Sequence, residues 1–399
     1  MHATVTHIDN PGPLSLAKPL SNLFMAMIAI GGLAFIGGVI ADPTRAWQNY
    51  IINLYMFTGF ALGGFAFVTI NRAVNAYWAV VPRRLAEAFM SFLPVAFVLF
   101  IPALVGIMMT GDSIYSWMGD NSRIHSPTKH AWLSYNFVAI RNVLFFIIWI
   151  LLARKLISYS VGQDNGQNQD SRPAAARFSI VALLLFAPTY AFFSYDLIMS
   201  MEPKWFSTMF TVYTFAGIFQ STMALMTIVF VKLKQNQLKH VATPSHVKDL
   251  SGLLFAFTVF MCYVAFSQFM LIWYANLPEE TFYYIKRSEG GWVVIAYFTW
   301  FLKFILPFFG LLGQGQKKHD RWLMIVCGGV LLGQYLDLYW MAVPSQNPTL
   351  VPIAWIEIGT LALFAGLFGL FVSRWMSKHN LIPVGDPYVL ASANWRFWE

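Results

Sequence analysis

Long apolar runs separated by short polar loops set the pattern of this chain. A helix needs about 20 apolar residues to cross the hydrocarbon core of a bilayer. Ten runs reach that length, near residues 20–41, 50–70, 86–109, 132–153, 177–199, 205–231, 250–274, 291–313, 322–342 and 351–373. Each predicts a helix, because an open strand cannot satisfy its backbone polar groups in lipid. The fold class that follows is all-α integral membrane, with ten transmembrane helices. Two glycine pairs, Gly59/Gly63 and Gly329/Gly333, have the spacing that lets helices approach closely.

The most informative stretch is Ser194–Tyr213. An apolar run carrying Asp196 breaks at Glu202-Pro203, and a second run rich in aromatics leaves. Pro203 has no N–H to donate and disfavours helix at the residue before it, so the stretch predicts a hairpin between two spans. The segment Asp337–Pro344 echoes Asp196–Pro203: both read Asp-Leu, with Pro seven residues after the Asp, at the end of a span. The spans before them match in kind, since the fourth carries Arg141 and the eighth Lys303, each near the middle of its run. Two parallel four-helix bundles follow, spans 2–5 and 6–9, with two flanking helices. The corresponding division is a tail at 1–19, the first span and its turn at 20–49, bundles at 50–199 and 200–342, the tenth span at 343–374 and a tail at 375–399. In each bundle a buried cation should reach a carboxylate.

Composition and charge sharpen this picture. Of 399 residues, 58% are hydrophobic, 17% aromatic and 11% charged, against about 25% charged in soluble domains. The net charge of +8 does not indicate nucleic acid, because the cations lie between spans. Eighteen Lys and Arg fall on the side of the termini and six on the other. The positive-inside rule then places both termini in the cytoplasm, and the Ser194–Tyr213 hairpin outside. Met1–Lys18 is polar, and the run after it is too long for a signal-peptide core, so a retained tail is expected. Ser158–Ala176 reads as a polar mobile linker, Lys232–Lys248 as a basic loop against anionic lipid headgroups. Gly111–Lys129 and Pro278–Gly290 are long enough to dock a partner.

The chain owns no recognisable electron carrier. Its eight histidines all fall in tails or loops, whereas a transmembrane b-type haem needs ligands within helices. Cys262 and Cys327 sit in apolar runs, and c-haem, iron–sulfur and nucleotide-binding motifs are missing. The chemistry therefore rests on buried ionisable groups. Asp196, Arg141, Lys303 and Asp337 are proton-path candidates, or else fixed ion pairs that hold the bundles. Glu357, about two turns into the tenth span, is a fifth. Glu202, Glu279 and Glu280 belong to the solvated outer surface. Trp205, Trp273, Tyr274, Tyr339 and Trp340 gather near outer span ends. They form an interfacial aromatic belt, or a surface for a quinol ring, with Gln268, Trp273 and Tyr274 as candidate contacts.

The strings Asp196–Tyr213 (DLIMSMEPKWFSTMFTVY) and Leu254–Tyr284 (LFAFTVFMCYVAFSQFMLIWYANLPEETFYY) resemble the F subunit of alternative complex III, within the NrfD-like membrane anchors of polysulfide-reductase type. The resemblance covers nearly the whole chain. It implies a subunit of a bacterial quinol:cytochrome c oxidoreductase in the inner (cytoplasmic) membrane, without a redox cofactor of its own, supporting quinol oxidation; proton translocation is the expectation drawn from the buried charges. It also implies partners: a homologous ten-helix quinol-binding subunit, multihaem cytochrome c subunits, an iron–sulfur subunit, and cytochrome c or a terminal oxidase. Those partners would carry the c-type haems and iron–sulfur clusters, with menaquinone or another quinone as substrate. Two alternatives stand beside it, a stand-alone proton-coupled transporter and a structural anchor for peripheral haem subunits. Against the transporter, the echo is parallel rather than inverted, and no span is broken at its middle by a Gly/Pro pair.

Overall fold

The computed structural model describes residues 7–119, 126–166, 171–347, 349 and 353–396. Ten helices are long and apolar enough to cross a membrane: α1 (Lys18–Ala41), α2 (Pro43–Ala73), α3 (Val80–Ser113), α4 (Tyr135–Asp164), α5 (Arg172–Met201), α6 (Met209–Gln235), α7 (Pro244–Ala275), α8 (Trp292–Leu312), α9 (Asp320–Ser345) and α10 (Trp355–Met376). The protein is a multi-pass, all-α membrane protein. The two tails meet at one face, where Leu14 N–H donates to Met376 O and Leu381 N–H to Gly12 O.

Several helices outrun their apolar runs because their ends are set by capping, which hydropathy does not register. Asp42 accepts from the Arg45 N–H, and Pro43 supplies the fixed φ of a first helical residue, so α2 starts well before its apolar stretch. Thr243 and Pro244 do the same for α7, with His246 Nδ1 accepting from the Thr243 N–H at 3.0 Å. His246 thus lies in a helix and is buried, not in a loop as expected. Its other ring nitrogen is 3.3 Å from the Ser392 hydroxyl, so both are engaged. The expected linker Ser158–Ala176 is mostly helical too: α4 runs to Asp164 and α5 begins at Arg172. Residues 167–170 of that linker, and 120–125 of the Gly111–Lys129 loop, lie outside the described residues. Within α3, a turn at Ser91–Phe92 precedes Pro94, which cannot donate to the carbonyl of Met90.

The two expected bundles close as rings. Helices α2, α3, α4 and α5 pack in succession and back onto α2, and α6, α7, α8 and α9 close in the same way. Buried along its apolar stretch, α2 joins the bundles by also packing on α6 and α9. Gly59 and Gly63 make that junction: a Cβ at Gly63 would lie 2.1 Å from the Thr222 hydroxyl on α6. Outside the bundles, α1 and α10 form a pair that leans on α2. Their seam uses small residues seven apart, Gly31 and Gly38 against Gly359 and Gly366, a pattern absent from the sequence reading.

The loops at the face of the tails are not plain. Arg72, Arg83, Arg84 and Glu87 lie within helices and are buried. Arg84 bonds Glu87 at 3.0 Å and also Asp164, and Arg72 reaches Glu87 at 3.3 Å. From the C-terminal tail, Asp386 takes Arg83 at 2.7 Å and Arg172 at 3.1 Å. Expected as topology signals, Arg83 and Arg172 clamp the tail to the first bundle, and Arg72 and Arg84 tie its helices to one another. The basic loop Lys232–Lys248 also folds inward, burying Leu238 and Val241, with Lys234 paired to Asp320.

Burial alone would raise the Asp386 carboxyl, but Arg83, the Tyr388 N–H and Arg172 together hold it below the ordinary carboxylate value. A depressed folded pKa stabilises above the unfolded value, about 3.9, and that stabilisation is lost as pH falls through the folded value. Asp386→Asn is therefore expected to weaken tail docking by roughly 1.5–3 kcal/mol at neutral pH. Limited proteolysis checks this: the wild-type tail should resist cleavage at pH 7 and become sensitive only below about pH 4, whereas the variant is cut at pH 7.

Candidate functional site

The eighth helix positions the site through a defect in its own backbone. Pro307 cannot donate to the carbonyl of Lys303 four residues earlier, and Phe301–Ile305 forms one turn of π-helix. The freed Lys303 carbonyl accepts from the Gln220 side chain of α6 at 2.7 Å, and the same amide nitrogen donates to Thr258 at 2.8 Å. π-Turns of this kind recur at functional sites. The π-turn distorts the eighth span but leaves it continuous from Trp292 to Leu312.

Two glycines open the space that Lys303 fills. A Cβ at Gly217 of α6 would stand 2.7 Å from the Lys303 ammonium, and one at Gly333 of α9 would stand 2.7 Å from its Cγ. The Gly329/Gly333 pair thus admits a cation as well as a helix. Inside, Lys303 donates to Asp337 at 2.6 Å and to Gln334 at 2.8 Å. Tyr213 donates to the other Asp337 oxygen at 2.5 Å. Lys303 and Asp337 are both buried. The ammonium has three donors and two hydrogen-bond acceptors among the described residues.

This cluster is the polar end of a mostly apolar cavity of about 360 Å³. Its walls include Gln268 of α7, Trp300 of α8 and Tyr284 of the short helix Pro278–Lys286. Of the three candidate quinol contacts, only Gln268 lines it. Trp273 and Tyr274 are 67% and 84% exposed on the outer surface of α7 and belong to the aromatic belt. Gln268 falls one helical turn or more earlier and turns inward, which is why the three separate. Trp205 and Tyr339, also expected at the belt, are instead buried, and Trp205 stacks on Tyr283 at 3.8 Å. Glu202 is buried as well and takes Lys286 at 2.8 Å, so it is not simply solvated. Tyr213, Gln334, Tyr284 and Trp300 were not singled out from the sequence. The available signal was Pro307 four residues after a buried lysine.

The first bundle repeats the pairing, and its Arg141 and Asp196 do not line that cavity. Arg141 holds Asp196 with two parallel bonds, 2.8 and 2.6 Å, and Asn142 adds a third at 2.8 Å. The guanidinium packs over the rings of Trp132 (4.0 Å) and Phe137 (4.6 Å). Because α4 starts at Tyr135, Arg141 sits roughly 9 Å from its end, not mid-span, whereas Lys303 is about 16 Å into α8. The two pairs are not joined: Ser194 and Thr211 link α5 to α6 at 2.8 Å, and neither hydroxyl reaches a carboxylate. Glu357 stands in the first turn of α10, not two turns in. It accepts from the Ala354 N–H at 2.9 Å, from Asn49 at 3.0 Å and from Arg45 through two bonds of 2.6 and 2.8 Å. That arrangement caps a helix and ties α10 to α2.

Compared with known proteins, the chain matches no family model and no curated sequence.

Proposed function

We propose that this chain is the integral, non-haem subunit of a quinol:cytochrome c oxidoreductase of the alternative complex III type, and that it conducts protons through its second bundle. In this reading it lies in the bacterial inner membrane with both termini cytoplasmic. Its partners hold the c-type haems and iron–sulfur clusters. The observation that carries the proton role is the Lys303–Asp337–Tyr213 cluster opening on an apolar cavity. Ionisable groups within a membrane are costly and mark proton or ion routes. Here a carboxylate and an ammonium share a contact with space beside them, so a proton can be exchanged with whatever enters. Neither Arg141–Asp196 nor Glu357–Arg45 lines that cavity, and in this reading both serve as struts. Gln268 and Tyr284 would orient a quinol headgroup in the same cavity, placing a proton acceptor beside it.

A second reading draws on the π-turn of the eighth span. A distorted helix beside a buried cation near mid-span also suits a stand-alone proton-coupled carrier, whose sites gather near the bilayer midplane. One experiment separates the two. The chain, tagged at its C-terminus and purified in mild detergent, is expected to bring down c-type haem visible on a stained gel while itself remaining unstained. A colourless, monodisperse protein would reject the respiratory reading and leave the carrier.

A further inference from the structure

A second and larger cavity, about 960 Å³, lies between the α1–α10 pair and the core helices α2, α6 and α9. It is unconnected with the proton site by any shared lining residue. Its size is at the upper end of the ~300–1,000 Å³ range of small-molecule sites. The walls are almost wholly aliphatic and aromatic, from Phe57 and Phe60 of α2 to Leu361 and Phe368 of α10. An apolar cavity of this kind does not hold water. Leu20 and Leu332 on its rim are 41% and 48% exposed, so the cleft is bounded sideways by residues that face the hydrocarbon.

Apart from Tyr335, whose hydroxyl donates to Asn49, its polar groups gather at one end. Lys232, Asn236 and Gln237 at the end of α6 border it there, together with Ser15 of the N-terminal tail and Ser373 of α10. Lys232 is exposed and has no carboxylate partner among the described residues. The Gln237 side-chain carbonyl oxygen is buried and accepts no hydrogen bond. From Met376 to Leu361 the cleft follows α10 for roughly 22 Å at ~1.5 Å per residue. That is more than one leaflet of a hydrocarbon core ~30 Å thick.

We infer that this cleft is a binding site for one anionic glycerophospholipid, of the phosphatidylglycerol class, from the leaflet at the face of the tails. The acyl chains fill the apolar length, and the exposed Lys232 ammonium meets the phosphate. The lipid then acts as packing between the flanking pair and the bundles, where the protein supplies no side chains of its own.

The test is native mass spectrometry of the full chain, delipidated in detergent and titrated with phosphatidylglycerol, phosphatidylethanolamine or menaquinone. One phosphatidylglycerol per chain should be retained, at least tenfold in preference to phosphatidylethanolamine. Lys232→Glu, a surface change that cannot disturb the core, should abolish that preference. Ile228→Trp, which fills the cleft, should remove the bound lipid altogether. Equal retention of both phospholipids with Lys232→Glu indistinguishable from wild type would overturn the headgroup assignment. Retention of menaquinone in competition with phosphatidylglycerol, or of no molecule at all, would overturn the lipid site. Neither result touches the proton cluster.

Discussion

Replacing Lys303 with methionine is expected to destabilise the protein by roughly 3–5 kcal/mol, the cost of leaving a buried charge without its partner. Asp337 would keep only the Tyr213 hydroxyl against a full negative charge, in a place closed to solvent. Methionine is close to lysine in shape and demands no repacking, so the loss reports the charge. The double variant Lys303→Met/Asp337→Asn should recover most of it, because removing both charges of a buried pair is often nearly neutral. Lys303→Arg should not rescue: Gly217 and Gly333 leave room for a slender chain, and a planar guanidinium exceeds it. Thermal unfolding followed by tryptophan fluorescence reads all three. Equal melting of the single and double variants would mean that the two charges are not coupled.

Asp337→Asn leaves the Lys303 ammonium without its carboxylate and should lose stability as well. Asparagine preserves the volume and accepts from Tyr213 or Lys303, so turnover is compared per assembled complex. Proton exchange at the carboxylate is lost, and quinol turnover per haem should fall roughly 10²-fold, the lower end of what a positioned acid–base group contributes. Asp196→Asn gives the control. Arg141 cannot shed its charge; its guanidinium packs on two rings, and neither it nor Asp196 lines the 360 Å³ cavity. That variant should lose stability, again by roughly 3–5 kcal/mol, and keep its turnover per folded molecule. If the two asparagine variants lost turnover alike, the distinction between strut and proton site would fail.

Much of this was legible in the sequence. Ten apolar runs gave ten spans, and the Asp-Leu echo with a cation in the preceding span identified both ion pairs. Side-chain reach did the rest, since a lysine or arginine bridges the offset between neighbouring helices. Helix ends were less legible, because Asp42 and Thr243 cap polar segments that hydropathy assigns to loops. The same blindness hid the buried arginine cluster: Arg72, Arg83 and Arg84 look like topology signals until Glu87, Asp164 and the distant Asp386 are brought to them. Asp386 is some 300 residues from Arg83, and no local pattern encodes that contact. The difference between the two pairs was also invisible. It depends on Pro307, Gly217 and Gly333, each unremarked alone, acting on one lysine from three helices. Trp273 and Tyr274 part from Gln268 for a simple reason: helical phase turns them outward while Gln268 turns in.

The most direct measurement is the number of protons moved per electron. The complex is purified through a tag on this chain, reconstituted in sealed vesicles, and driven with quinol and oxidised cytochrome c while a pH dye reports on one side. With slow turnover compared at equal electron flux, Asp337→Asn should move fewer protons per electron than wild type. Asp196→Asn should match wild type. An unchanged ratio in Asp337→Asn would show that protons do not pass through the second bundle, and would leave the chain an anchor for its partners.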